Sequence, residues 1–192
     1  DSGADSLAIK DMAGLLRPFD AYDLVKSLKG SLSIPIHMQT HATTGMSPAT
    51  NMKAIEAGID NIDTSISSLS MTYGHTATET MMAIFEGQDR YLDLDLEALE
   101  EVSTFFKDIR EKYSEFEGNL KGVDSTMLVK QVPGGMLSNL ESQLRANKQE
   151  DKIDLVKDEI PKVREDFGYP PLVTPASQIV GAQALLNIID GH

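Results

Sequence analysis

The residues with most chemical potential lie in Pro35-Ile36-His37-Met38-Gln39-Thr40-His41-Ala42-Thr43-Thr44-Gly45, a strand-like run that closes on a glycine turn. Side chains alternate across a strand, so His37, Gln39 and His41 are expected on one face. Imidazole nitrogens and an amide oxygen at that spacing are donors for a divalent cation. A helix start at Ser47-Pro48 follows, which is how a parallel barrel presents ligands at the carboxyl ends of its strands. Two further positions carry competing readings. Lys10 beside Asp11 reads plainly as a lysine neutralising an aspartate near a strand end. Thr174 before Pro175 reads as an ordinary helix N-cap followed by proline at the first helical position.

Composition narrows the function classes. At 192 residues with 41% hydrophobic and 24% charged residues, the chain can bury a real core and reads as globular. Thirty acidic against seventeen basic residues give a net charge of -13, which opposes attraction to phosphate backbones and anionic membrane surfaces. Nucleic acid is therefore not expected as a partner. The absence of cysteine excludes a disulfide framework, a thiolate zinc site and a cysteine nucleophile. Any metal must use histidine, carboxylate, amide or a modified lysine. No apolar run reaches the roughly 18 residues that span a bilayer, and the first residues show no signal segment, so direct membrane insertion is not expected and a cytoplasmic location is.

The elements that must position these residues are of two kinds. Residues 1 to about 90 read as three repeats of short apolar strand and amphipathic helix, the alternation of a parallel α/β sheet or barrel. Strands are expected at Leu7 to Ile9, Ile34 to Met38 and Ile59 to Ile66. The helices between them begin at Pro18, with Phe19, Tyr22, Leu24, Val25 and Leu28 inward and Gly30 as the stop, at Ser47-Pro48 with Ser47 as cap, and at Thr76. Residues 91–192 read as helical only, first with Leu96, Leu99, Val102, Phe105, Phe106, Ile109 and Tyr113 at spacings of three and four. Further helices are expected around Leu137 to Arg145, Ile153 to Phe167 and Pro175 to Ile189. Three strand-helix units cannot close an eight-unit barrel, which takes about 200 to 250 residues, so the chain reads as the carboxyl-terminal part of something larger.

The segments Ile9-Lys10-Asp11-Met12-Ala13-Gly14, the strand that leads to His41, and Ile62-Asp63-Thr64-Ser65-Ile66 resemble the carboxyltransferase domain of biotin-dependent enzymes. The likeness continues through Pro133-Gly134-Gly135-Met136-Leu137-Ser138-Asn139-Leu140 and Val173-Thr174-Pro175-Ala176-Ser177-Gln178-Ile179-Val180-Gly181. That family includes the oxaloacetate decarboxylase alpha subunit, the transcarboxylase carboxyltransferase subunit and the corresponding part of pyruvate carboxylase. Ser70 to Glu79 is closest to the decarboxylase. The resemblance implies the last three strand-helix units of a TIM barrel at 1–90, and a helical domain packing over the barrel mouth at 91–192.

The resemblance also implies a divalent metal, zinc first with manganese, cobalt or magnesium as alternatives, that polarises the keto oxygen of oxaloacetate or pyruvate. Lys10 corresponds to the lysine that becomes an anionic ligand as a carbamate. His41 matches the second histidine of the ligand pair, and Gln39 stands where the family has the first. An amide oxygen is a harder, weaker donor than imidazole for a zinc-like ion, so weak affinity, a harder ion or a degenerate site all stay open. His37 lies about 6.5 Å deeper along the strand and is a poor substitute. Thr174 matches the threonine that relays a proton between biotin and the pyruvate enolate, and Ser177 matches a residue of the biotin pocket.

The implied partners are oxaloacetate or pyruvate, a biotin carrier supplied by another domain or subunit, the amino-terminal half of the barrel, and further copies of the full domain in a homo-oligomer. The family's aspartate ligand and substrate-binding arginine come from earlier strands, so this portion alone is expected to be inactive. No Gly-rich phosphate loop occurs, which leaves the carboxyl donor to a partner. Three weaker candidates have plain readings. His75 is a loop or helix-start residue, Asp93, Asp95 and Glu97 are the acidic first turn of a helix, and Met52-Lys53 lies within a helix and not on a carrier hairpin. Two other functions compete: an acyl-CoA lyase or synthase barrel, against which Lys10 argues, and a non-catalytic interaction module, which Gln39 supports.

Overall fold

A computed structural model describes residues 3–118, 120–125 and 127–191. It is an α/β fold in which β1 (Leu7–Asp11), β2 (Ile36–Thr40) and β3 (Asn61–Ile62) form one parallel sheet in the order β1-β2-β3. Helices α1 (Pro18–Ser31) and α2 (Ser47–Ala57) connect them and pack against each other. The apolar alternation of the strands decides which face they cover. Ile36 and Met38 are fully buried with Ala21 and Val25 of α1, Ala54 and Ala57 of α2, and Ile59. On the opposite face Ala8 and Lys10 are exposed, and His37 and Gln39 are half-buried.

The remaining elements are helical: α3 (Thr78–Phe85), α4 (Leu96–Lys112), α5 (Met127–Lys130), α6 (Gly134–Ala146), α7 (Ile153–Asp166) and α8 (Ala176–Asp190). A second core forms where Leu137, Leu140 and Leu144 of α6 meet Val156, Ile160 and Val163 of α7 and Val180 and Ala184 of α8. Ala13, just past β1, is buried in that helical core, and Leu15 packs against it. The strand ends and the helical region therefore share a packed boundary. Among the described residues no helix is long and apolar enough to cross a membrane.

Several local expectations are corrected. Gly30 lies inside α1, which runs on to Ser31, and Phe19 is 74% exposed instead of facing the core. Ser47 does not cap α2: Met46 is the cap residue, and the buried Ser47 hydroxyl donates to the Thr40 carbonyl and bonds to Thr76. β3 is two residues long, because Asp63 and Thr64 turn their side chains to His37 and Thr78 and Ser65 bridges to Ala77. Pro133-Gly134-Gly135 starts α6, with Pro133 as its cap residue. Asp95 caps α4 by accepting from the backbone of Glu97 and Ala98, as its acidic first turn suggests. No residue of α4 is fully buried; its half-buried face, with Leu99, Phe106 and Ile109, lies against the turn at 67–69, where Ser103 bonds to Ser67 and Ser68 and Arg110 donates to the Ser68 carbonyl.

Ile36 sits where both connecting helices meet the sheet. Ile36→Ala should lower the stability of the chain by about 2–5 kcal/mol, the range for truncating a buried isoleucine, read as a lower urea midpoint with an unchanged slope.

Candidate active site

Parallel pairing sets Lys10 directly beside Gln39 and Asp11 beside Thr40. Paired residues share a face, so Lys10 and Gln39 project together from the side of the sheet away from α1 and α2. Beyond the backbone ladder, the Gln39 side chain makes no hydrogen bond to the described residues, and the Lys10 side chain makes neither a hydrogen bond nor an ion pair to them. Asp11 points to the other face and is fully engaged. Its carboxylate accepts from Leu15 N at 2.9 Å, Leu16 N at 3.1 Å and the Thr40 hydroxyl at 2.7 Å, fastening the end of β1 to the loop before α1 and to β2.

β2 ends at Thr40, so His41 leaves from the residue just after the strand. Its ring is held from two sides. Nδ1 lies 2.6 Å from the Tyr73 carbonyl, and the His75 ring packs against it with centroids 4.6 Å apart at 41°. A carbonyl can only accept, so Nδ1 carries the proton and Nε2 keeps a lone pair for a ligand. Burial lowers the His41 pKa. The Tyr73 bond and Asp11 raise it, His75 and Lys10 lower it, and the net shift is downward. The neutral imidazole is thus the resting form at neutral pH. Gly14 permits this packing: it has φ +67°, and a Cβ there would collide with the His41 carbonyl.

His37 is committed elsewhere, with Nε2 2.6 Å from Asp63 Oδ1. His75, read from sequence as a plain loop residue, is instead in direct contact with His41, and its own Nδ1 is 3.0 Å from the Thr40 carbonyl. Tyr73 joins this cluster to the helices. Its carbonyl serves His41, while its phenol is hydrogen-bonded to Glu141 of α6 and pushed well up by burial and by Glu141 and Asp124.

Thr174 is not an N-cap. The Thr174-Pro175 bond is cis, Pro175 is the cap residue of α8, and no side chain caps that helix. Thr174 instead lines a cavity of about 240 Å³ together with the buried Ser177, Gln178, Asn139 and Met12. Met12 follows Lys10 by two residues, so the start of α8 and the loop after β1 face the same space. Thr174 and Ser177 are thereby brought together, and both are linked through Met12 to the strand end that carries Lys10.

As donors for a divalent cation, the residues present fit one side of a shell. His41 offers a free Nε2, Gln39 an unengaged amide, and Lys10 would become a ligand only as an anionic carbamate. Among the described residues, no group of three or more histidine, aspartate or glutamate side chains could hold a metal ion.

Comparison with known proteins agrees with this geometry. Residues 1–106 match the HMGL-like family model and residues 127–191 the conserved carboxylase domain model. The methylmalonyl-CoA carboxyltransferase 5S subunit of Propionibacterium freudenreichii is 49% identical over 100% of this chain, which spans 38% of that protein. The large subunit of 2-oxoglutarate carboxylase from Hydrogenobacter thermophilus is 39% identical over 100% of this chain and 30% of its own length. The carboxyl transferase domain from Rhizobium etli pyruvate carboxylase, solved with pyruvate and biocytin, superposes with a TM-score of 0.93 at 34% identity, over 98% of this chain and 32% of that one.

The His41 environment has a measurable consequence. Its ring should titrate below the ordinary value of 6.5 by NMR, since burial is the largest effect. Its contribution to stability is fully present above that unfolded value, and is lost as the pH falls from there to the lower folded value. A midpoint at or above 6.5 would contradict the packing described.

Proposed function

The chain belongs to the HMGL-like family, and on that premise we propose that it is the carboxyltransferase portion of a biotin-dependent enzyme, moving a carboxyl group between an oxo acid such as oxaloacetate or pyruvate and biotin. It spans about a third of the length of the relatives it matches, so the activity is assigned to the assembled protein, with a biotin carrier, the remaining barrel strands and further copies as its partners. A cytoplasmic enzyme fits this reading. In it, 1–90 is the end of the barrel and 91–192 the helical domain at its mouth.

The observation that supports this reading most is the shared cavity of Met12, Thr174 and Ser177. Thr174, whose hydroxyl is able to carry a proton, lines a space also lined by Met12, two residues beyond Lys10. A divalent ion held in part by Lys10 as carbamate, His41 and Gln39 would act as a Lewis acid toward the keto oxygen of the substrate. His41 contributes a neutral imidazole whose tautomer is already set, which avoids reorganisation on binding. Gln39 contributes an oxygen donor and biases the site toward harder ions such as manganese or magnesium over zinc. Thr174 Oγ1 would carry a proton to or from the substrate when biotin is bound, and the buried Ser177, three residues on, would help to hold the biotin ring.

Two experiments test the assignment. In the assembled enzyme, Thr174→Ala should lower kcat for oxaloacetate decarboxylation in the presence of biotin by about 10²–10⁴, the range for losing a positioned proton carrier. KM for oxaloacetate should barely move, and Thr174→Ser should retain most activity. An unchanged kcat would remove Thr174 from the reaction. Separately, Gln39→His should tighten zinc binding about tenfold, or about 1.4 kcal/mol, and no change would take position 39 out of the ligand set.

A further inference from the structure

Three consecutive residues at the end of β2 are gripped by three consecutive residues of the loop after β3. The His75 Nδ1 donates to the Thr40 carbonyl at 3.0 Å, His41 Nδ1 donates to the Tyr73 carbonyl at 2.6 Å, and Ala42 N donates to the Gly74 carbonyl at 2.8 Å. The loop is itself tightly closed. Met71 N donates to the His75 carbonyl at 2.6 Å and Gly74 N to the Met71 carbonyl at 2.7 Å. Met71 and Thr72 both take positive φ, 62° and 48°, to make this turn. Gly74 has little room for a side chain, because a Cβ would lie 3.1 Å from the Leu69 carbonyl and 3.2 Å from that of Met71.

From this geometry we infer that His75 is a positioning residue for His41, holding the Tyr73 carbonyl and the His41 ring in register so that Nε2 of His41 is the available donor. The inference rests on the reading of His41 as a cation ligand. A free imidazole in water favours the proton on Nε2, which would block that nitrogen. The Tyr73 carbonyl reverses the preference, and the carbonyl stays in place because His75, two residues on, is anchored to Thr40. The His75 ring also occupies one flank of His41, 4.6 Å away between centroids, which restricts rotation of the ring about its own bond to the backbone. His75 needs no contact with the ion or the substrate to do this.

The test uses the assembled protein carrying His75→Ala or His75→Asn, the latter because an asparagine Nδ2 can donate to the Thr40 carbonyl as Nδ1 does. Two properties are read: the His41 tautomer from imidazole ¹⁵N shifts without metal, and the affinity for cobalt(II) by titration. His75→Ala should populate the Nε2-protonated tautomer of His41 and weaken cobalt binding by about 10–100-fold, the cost of losing an outer support of a ligating histidine. His75→Asn should restore the tautomer and most of the affinity. An unchanged tautomer and affinity in His75→Ala would overturn the inference and leave the ligand reading intact. A tautomer shift in an assembled protein that binds no cobalt with or without the substitution would keep the positioning role and overturn the ligand reading. If His75→Ala does not fold, His75→Asn decides: a folded variant with a mixed His41 tautomer contradicts the anchoring role.

Discussion

The hydrogen bond from His41 Nδ1 to the Tyr73 carbonyl is the interaction on which the rest of the site depends. It fixes the tautomer of a half-buried ring and ties the end of β2 to the loop after β3. Through the Tyr73 phenol and Glu141 it also reaches α6. The strand ends could otherwise move independently of the helices, since most of the helical core lies among α6, α7 and α8 themselves. Ala13, buried in that core, is a second fastening, and it belongs to the same turn as Gly14, which must be small for the His41 carbonyl to approach.

Parallel register supplies the second constraint. Because Ile9 pairs with Met38 on the helix-covered face, Lys10 must pair with Gln39 on the other. No side-chain preference of Lys10 is needed for this, only the burial of the apolar alternates beside it. Asp11, one residue on, is turned the opposite way and becomes a structural anchor with three donors. A lysine and an aspartate adjacent in sequence thus have unrelated jobs, and the plain reading of Lys10 as a neutralising partner for Asp11 does not hold in the fold.

Much of this is legible in the residues. Short apolar stretches ahead of amphipathic ones locate the three strands, and Pro18 marks a helix start where the structure has it. Strand alternation marks His41 with Gln39, while the motif resemblance carries Lys10, Thr174 and Ser177, which no periodicity singles out. What escapes depends on tertiary partners. Ser47 looks like a cap because serine usually is one beside a proline such as Pro48, yet burial against Thr40 and Thr76 makes it a core hydroxyl inside the helix. Thr174 has the local signature of a cap, but Pro175 takes the cap position of α8 and Thr174 lines a cavity wall instead. His75 falls within the decarboxylase-like stretch Ser70 to Glu79, but its contact with His41 stays unmarked because the two are 34 positions apart and no spacing rule connects a loop histidine to a strand end. Phe19 and Leu24 carry a helical period without the burial it implies, since the contact of α1 with the sheet core is made by Ala21 and Val25, with Tyr22 and Leu28 packed beside them.

The proposed cation site is the sheet face that carries Lys10 and Gln39 and leads to His41, and not the acidic surface of a chain with net charge -13. Paramagnetic relaxation in the assembled protein, isotope-labelled and titrated with manganese(II), decides between the two. The fastest relaxation is expected at His41, Gln39 and Lys10, with the effect declining through Met12 toward Thr174 and Ser177. Relaxation centred on the acidic turns of α4 or α7, with His41 unaffected, would contradict it.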